Sequence, residues 1–169
     1  ASRSGRQHVT GGQANSSMRV IDYFDKGAAI DPERTAIIAG DFTCCYREAQ
    51  LRTHQIAAGL WAEGFDVGQK VAIYSNNDPR AFLCMLGLWR AGGVWIPVNV
   101  RNSLESNIEY LNVVGAQWLF YHSEFSDKAA RISEAVPTLR HLVYLDRAAS
   151  RHLSFDQLIA QGEGTTVPD

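Results

Sequence analysis

Four short apolar runs constrain this chain more than any other feature in it. They begin near Val71, Val94, Trp118 and His141, at steps of 23, 24 and 23 residues. One strand, one helix and two short loops fill such a step, so parallel βαβ crossovers fit it and hairpins do not. Val71–Tyr74, Val94–Val98, Trp118–Tyr121 and His141–Leu145 are therefore read as parallel strands. The segments between them carry helix signals. Asp78-Pro79 offers an N-cap carboxylate followed by a proline at the first helical position. Ser103 precedes Leu104, Ile108 and Leu111, which share a helical face that Gly115 closes. Phe125, Ala129, Ile132 and Val136 mark the next helix, and Ser154–Gln161 predicts a last short one.

Upstream, Met18–Lys26 reads as a short amphipathic helix with Val20, Ile21 and Phe24 on one side. Thr35–Ala39 and Phe42–Cys45 flank a Gly40-Asp41 turn and predict a hairpin. Tyr46–Glu63 then reads as a helix stopped by Gly64. The expected fold class is α/β: a parallel βαβ, flavodoxin-like subdomain with an N-terminal helix and β-hairpin. Residues 1–17 are polar and rich in Gly and Ser, without the apolar centre of a signal peptide, and read as a mobile tail or an expression remnant.

Composition narrows the function classes. At 169 residues the chain suits one domain or part of a larger one, and 46% hydrophobic against 20% charged residues is globular rather than disordered. A formal net charge of −2 gives no basic footprint for nucleic acid or an anionic membrane. The longest apolar run, Ala81–Trp89, is too short to span a bilayer. Cys44, Cys45 and Cys84 show no CxxC spacing and are read as reduced, buried thiols of a cytoplasmic protein.

Self-contained chemistry is missing. Neither GxxxxGK[ST] nor GxGxxG occurs, no GxSxG elbow occurs, and the five histidines lack metal-ligand spacing. Carboxylate pairs such as Asp22/Asp25 and Glu105/Glu109 have the spacing of solvated helix faces. Trp61, Trp89, Trp95 and Trp118 fall on predicted core elements, where packing explains them. Gly92-Gly93 lies between the Asp78 helix and the Val94 strand, at the end of the sheet where a left-handed helix stop is needed rather than a ligand cradle. The Asp78–Arg90 helix itself has almost no polar face and demands cover on all sides. Its exposure in an isolated chain would favour self-association, with a homodimer as the simplest form.

The places left for ligands are the loops at the strands' carboxyl ends. They are Ser75-Asn76-Asn77, Asn99-Val100-Arg101-Asn102, His122-Ser123-Glu124 and Asp146-Arg147. Most of their Asn and Ser residues act as turn formers and caps. Arg101 is the exception: a guanidinium beside a helix N-terminus suits a phosphate, with a solvated surface arginine as the equal alternative.

The order of elements resembles the N-terminal part of the adenylate-forming enzymes, the acyl-CoA synthetases, luciferases and peptide-synthetase adenylation domains. "FTCCYREAQLRTHQIAAGLWAEGFDVGQKVAIYSNNDPRAF" is similar to the family's opening of hairpin, tyrosine-led helix, Gly-x-x-x-Gly turn, strand and Asn. "LGLWRAGGVWIPVNVRNSLESNIEYL" is similar to its early core motif of leucine helix, Ala-Gly, strand, proline and Asn. "AVPTLRHLVYLD" and "LSFDQLIAQGE" are similar to the strand and short helix before the main signature. The likeness covers about Met18 to Glu163.

That resemblance implies an N-terminal subdomain over 18–163, with 164–169 as a linker toward a phosphate loop lying further on. It implies a parent acid–CoA ligase of the fatty-acyl type, using ATP, CoA and Mg²⁺, with the rest of the same polypeptide as partner. No catalytic residue falls in this chain, because the family's Ser/Thr/Gly loop, ribose-binding Asp and catalytic Lys come later. Asn99, Val100 and Arg101 correspond to a loop that can touch the CoA nucleotide. The rivals are a fragment of an amino-acid adenylation domain, and a stand-alone module that binds a ligand or partner.

Overall fold

In the computed structural model, which describes residues 18–147 and 152–164, the four apolar runs lie side by side in one parallel sheet. The elements run α1 (Val20–Ile30), β1 (Thr35–Ala39), β2 (Phe42–Cys45), α2 (Tyr46–Ala62), β3 (Lys70–Tyr74), α3 (Pro79–Arg90) and β4 (Val94–Pro97). They continue with α4 (Leu104–Val114), β5 (Trp118–Tyr121), a 3₁₀ turn (Ser123–Phe125), α5 (Ser126–Ala135), β6 (His141–Tyr144), β7 (Leu153–Ser154) and α6 (Phe155–Gln161). The expectations for residues 1–17 and for most of 164–169 fall outside the described residues.

The sheet order is β4-β3-β5-β6-β7, every neighbouring pair parallel. Numbered from its own first strand, that order is 2-1-3-4-5, the flavodoxin-like arrangement that the spacing predicts. The antiparallel β1-β2 hairpin stands apart, with a bulge between Thr35 and Ile37. The fifth sheet strand, β7, went unforeseen. It has only two residues, pairs with Val143 and Tyr144, and passes directly into the Ser154 N-cap of α6, so no apolar run announces it.

Alternation along the strands feeds two cores. Val71, Ile73, Trp118, Phe120 and Val143 face α2, α3 and α6, where Ile56, Leu60, Leu83, Leu88 and Leu158 meet them. Ala72, Tyr74, Leu119, Tyr121 and Tyr144 face α4 and α5, against Leu104, Leu111, Ala129 and Ile132. Strand β5 is buried at every residue, as a central parallel strand covered on both faces should be.

The helix signals hold at atomic detail. The Asp78 carboxylate accepts from the Arg80 amide at 2.7 Å with Pro79 behind it, Ser103 accepts from the Ser106 amide at 3.1 Å, and Gly115 closes α4 in the left-handed conformation. Gly92 is left-handed at φ +82°, and a β-carbon on Gly93 would lie 2.1 Å from Leu88 and 2.7 Å from Phe65. The pair is a helix stop and a close packing point. Helix α1 runs on past Lys26 to Ile30 and ends at Asp31, just before Pro32; a β-carbon on Gly27 would lie 3.2 Å from the Tyr46 ring.

Three readings change. Asp25 is not a solvated carboxylate: it holds the buried guanidinium of Arg90 through two hydrogen bonds of 2.6 and 2.9 Å, while Thr53 accepts from Arg90 Nε at 3.0 Å. Of the four tryptophans only Trp118 is fully buried; Trp61 is 52% exposed, and Trp89 and Trp95 meet edge to face at the open side of β4. Helix α3 finds most of its cover inside the chain, from α2 and the sheet, and leaves one apolar strip open around Phe82. Cys44 and Cys84 are buried free thiols and Cys45 is half-buried.

Candidate functional site

The order 2-1-3-4-5 reverses direction between β3 and β5, and ligands of such sheets gather beyond the strand ends at that switch. Here the loops after β3 and β5 are tied together. The Asn76 amide donates to Glu124 at 2.8 Å. Next to it, Asp146 accepts from the Ser123 amide at 2.7 Å and from its hydroxyl at 2.5 Å, and lies 3.3 Å from His122 Nε2. Burial alone would raise the Asp146 carboxyl, but the two Ser123 bonds and the nearby imidazole outweigh it and hold it below the usual value. Asp78 is likewise held low against its burial, chiefly by hydrogen bonds from Arg80, whose guanidinium sits 2.6 Å away. These polar groups are occupied with one another, so the switch point is bridged rather than open.

The open space lies one strand over, between the ends of β3 and β4. A hollow of about 490 Å³ is lined by Ser75, Asn76, Asn77, Val98, Asn99, Val100 and Arg101. The structure thus brings the expected Asn99–Arg101 loop together with the Ser75–Asn77 loop, and leaves His122–Glu124 and Asp146 in the bridge beside them. The Asn99 side chain accepts from the Arg101 amide at 2.9 Å, an Asx turn that orients the loop. Its backbone carbonyl accepts from the side chain of Asn107, a buried residue of α4, at 3.1 Å. Asn107 anchors the loop from beneath. Sequence reasoning missed it, because an Asn inside an amphipathic helix carries no signal of what it reaches. The Arg101 side chain is exposed and has no ion-pair partner among the described residues.

A second hollow of about 480 Å³ adjoins the first and has a different character. Phe82, Met85, Trp89, Trp95 and Pro97 line it, together with Ile73 and Asp78. No group of three or more His, Cys, Asp or Glu side chains that could hold a metal occurs among the described residues. None of the described helices is long and apolar enough to cross a membrane.

Comparison with known proteins adds what the geometry alone lacks. The family model described as AMP-binding enzyme matches residues 24–165. A 3-[(3aS,4S,7aS)-7a-methyl-1,5-dioxo-octahydro-1H-inden-4-yl]propanoyl:CoA ligase of Mycobacterium tuberculosis is 32% identical over 136 residues, covering 79% of this chain and 27% of its own. A medium/long-chain-fatty-acid–CoA/3-oxocholest-4-en-26-oate–CoA ligase of Mycobacterium marinum is 24% identical over 139 residues, covering 80% and 24%. The chain spans about a quarter of the length of these curated relatives. Among solved structures, coronafacic acid ligase from Pectobacterium brasiliense superposes with a TM-score of 0.79 at 15% identity, over 90% of this chain and 31% of that one. At that identity the likeness speaks for the fold alone.

Proposed function

The chain belongs to the AMP-binding enzyme family, and on that premise we propose that it is the N-terminal α/β subdomain, residues 18–163, of an acid–CoA ligase acting on a fatty or similarly apolar carboxylic acid. The observation that carries the reading is the 32% identity, over 79% of the chain, to a protein named as a CoA ligase. In the parent reaction a carboxylate oxygen attacks the α-phosphorus of ATP, pyrophosphate leaves, and an acyl-adenylate forms. The CoA sulfur then attacks the acyl carbon, the C–O bond to AMP breaks, and the thioester is released. Adenylation replaces a poor leaving group with a good one.

The sequence carries neither GxxxxGK[ST] nor GxGxxG, and the steps through ATP and Mg²⁺ are assigned to segments of the parent beyond residues 164–169. The expected result for the purified 169-residue protein is no acid-dependent ATP–pyrophosphate exchange above a blank. Exchange above the blank would place the adenylation machinery inside these residues and overturn this division of labour.

The chain's own contribution is the Asn99–Val100–Arg101 loop. Its Asx turn and the Asn107 anchor hold the loop beside the helix α4 N-terminus, where backbone amides and the guanidinium together favour a phosphate of CoA. Carried in the full-length ligase, Arg101→Ala raises the KM for CoA and leaves that for ATP unchanged. The contact is charge-assisted but exposed, so the lower end of its usual value applies and the CoA effect is about tenfold. Equal KM values for CoA in the two enzymes would return Arg101 to the solvated surface.

A further inference from the structure

We infer that a pocket at the amino ends of β3, β5 and β6 binds a compact phosphate anion, inorganic phosphate or pyrophosphate, between Lys70, Gln117 and Arg140. It lies at the end of the sheet opposite the Asn99–Arg101 loop, and Lys70, Gly115, Gln117, Thr138 and Arg140 line its volume of about 310 Å³. Lys70 opens β3, Gln117 directly precedes β5 and Arg140 directly precedes β6. Parallel pairing sets the three side by side. The Gln117 amide donates to the Lys70 carbonyl and the Arg140 amide to the Gln117 carbonyl, each at 2.9 Å. Sheet register, rather than a loop, therefore places them.

Hydrogen-bond donors converge there. Lys70 gives one of its three ammonium N–H groups to the Val114 carbonyl at the end of α4, at 2.7 Å, and keeps two. The Gln117 carboxamide oxygen accepts from the Lys70 amide at 3.1 Å, which orients the group and leaves its NH₂ unspent. Arg140 is exposed, and neither it nor Lys70 pairs with a carboxylate among the described residues. No Asp or Glu lines the pocket. Thr138 spends its hydroxyl proton on the Ala116 carbonyl at 2.7 Å and offers only lone pairs, which suit the single P–OH of hydrogen phosphate.

Charge and size select the occupant. A guanidinium forks onto two phosphate oxygens, and an ammonium serves a third as a point charge. The volume stands at the lower end of small-molecule sites, which run from about 300 to 1,000 Å³. The lining residues offer no aromatic or branched apolar wall to a base or an acyl chain. A bare anion fits better than a nucleotide. The chain's net charge of −2 gives anions no general attraction, so their binding has to come from a local cluster.

The inference stands apart from the proposed CoA contact, and Arg101→Gln separates the two. Sodium phosphate and sodium pyrophosphate are titrated into the isotope-labelled 169-residue protein, with sodium chloride holding the ionic strength constant. The resonances of the Gly115 amide and the Gln117 side-chain NH₂ should shift saturably, and pyrophosphate, with its larger charge, should bind more tightly. Arg140→Gln should weaken binding about tenfold, the loss of one charge-assisted contact at an exposed position. Arg140→Lys should recover part of that loss, and Arg101→Gln should leave the shifts unchanged. Pyrophosphate should also raise the Tm of the parent protein with concentration, and do so less in Arg140→Gln. Shifts that never saturate, that chloride reproduces, or that survive Arg140→Gln undiminished overturn the inference. So does their loss in Arg101→Gln, which would place the anion at the opposite end of the sheet.

Discussion

Asp25→Ala is expected to cost the protein about 3 kcal/mol of stability, although the substitution touches neither hollow. Arg90 is the last residue of α3 and only 7% exposed, yet it sits between α1 and α2 with a full positive charge. Asp25 from α1 satisfies it with two hydrogen bonds, Thr53 from α2 with a third, and Gln50 donates to Asp25 at 2.8 Å. Removing one partner of a buried pair strands the other, at a typical cost of about 3–5 kcal/mol. Asp25 is itself 29% exposed, so water can reach the gap and the lower figure applies. For a domain of this size that is a fall in Tm of about 6–12 °C. Arg90→Met should be milder, because the carboxylate left behind can still be hydrated. An Asp25→Ala protein that melts with the parent would refute the account.

The same pair sets a pH dependence. Burial by itself would raise the Asp25 carboxyl, but hydrogen bonds from Arg90 and Gln50 and the Arg90 charge reverse that and hold it below its usual value. Its stabilising contribution is therefore complete above the unfolded carboxyl value near 3.9 and is lost as pH falls through the lower folded value. Asp25→Ala should flatten that part of the acid limb, in a denaturation series carried below about pH 4.

Gly59→Val is expected to loosen helix α6 from the domain, at a cost of about 3 kcal/mol, the upper end for overpacking. A β-carbon on Gly59 would stand 2.3 Å from the Leu158 carbonyl oxygen, and one on Gly162 would stand 2.2 Å from that of Gln55. In both places the obstacle is backbone, which cannot swing aside as a side chain can. Helix α2 and helix α6 touch main chain to main chain. Alanine normally gains about 1 kcal/mol over glycine inside a helix, so even Gly59→Ala tests the sign: contact, not propensity, decides it. Gly27→Ala is the contrast, since its new carbon meets only the Tyr46 ring, at 3.2 Å. Denaturant midpoints should fall sharply for Gly59→Val and stay near the parent for Gly27→Ala. Equal midpoints would show that α6 can move away at little cost.

The parts of the fold written locally were the parts legible in the sequence. The Asp78-Pro79 start, the Ser103 cap and the Gly115 and Gly92 stops each act within a few residues, the strand spacing repeats regularly along the chain, and each is found where it was expected. What escaped notice depends on where folding brings side chains together, at short or long separation, rather than on any local signal. Asp25 meets Arg90 across 65 positions, and nothing near either one announces the other. Asn107 reaches back to the Asn99 carbonyl, and Trp89 meets Trp95 only after the chain has turned through the glycines. Of the two hollows beside β4, the polar one could be named from strand ends alone. The apolar one required knowing that β4 lies at the sheet's edge, which depends on strand order and not on any stretch of sequence.

That strand order also has a kinetic meaning. The first parallel strand made, β3, lies inside the sheet, and each later strand takes a place at an edge already present: β4 beside β3, β5 on its other side, then β6 and β7 outward in turn. No strand has to be inserted between two that have already paired. A ribosome adding roughly 5–20 residues per second delivers one unit of this length every few seconds, far longer than a helix or a hairpin needs to form. Growth from β3 can therefore keep pace with synthesis, each new unit finding its template finished and waiting.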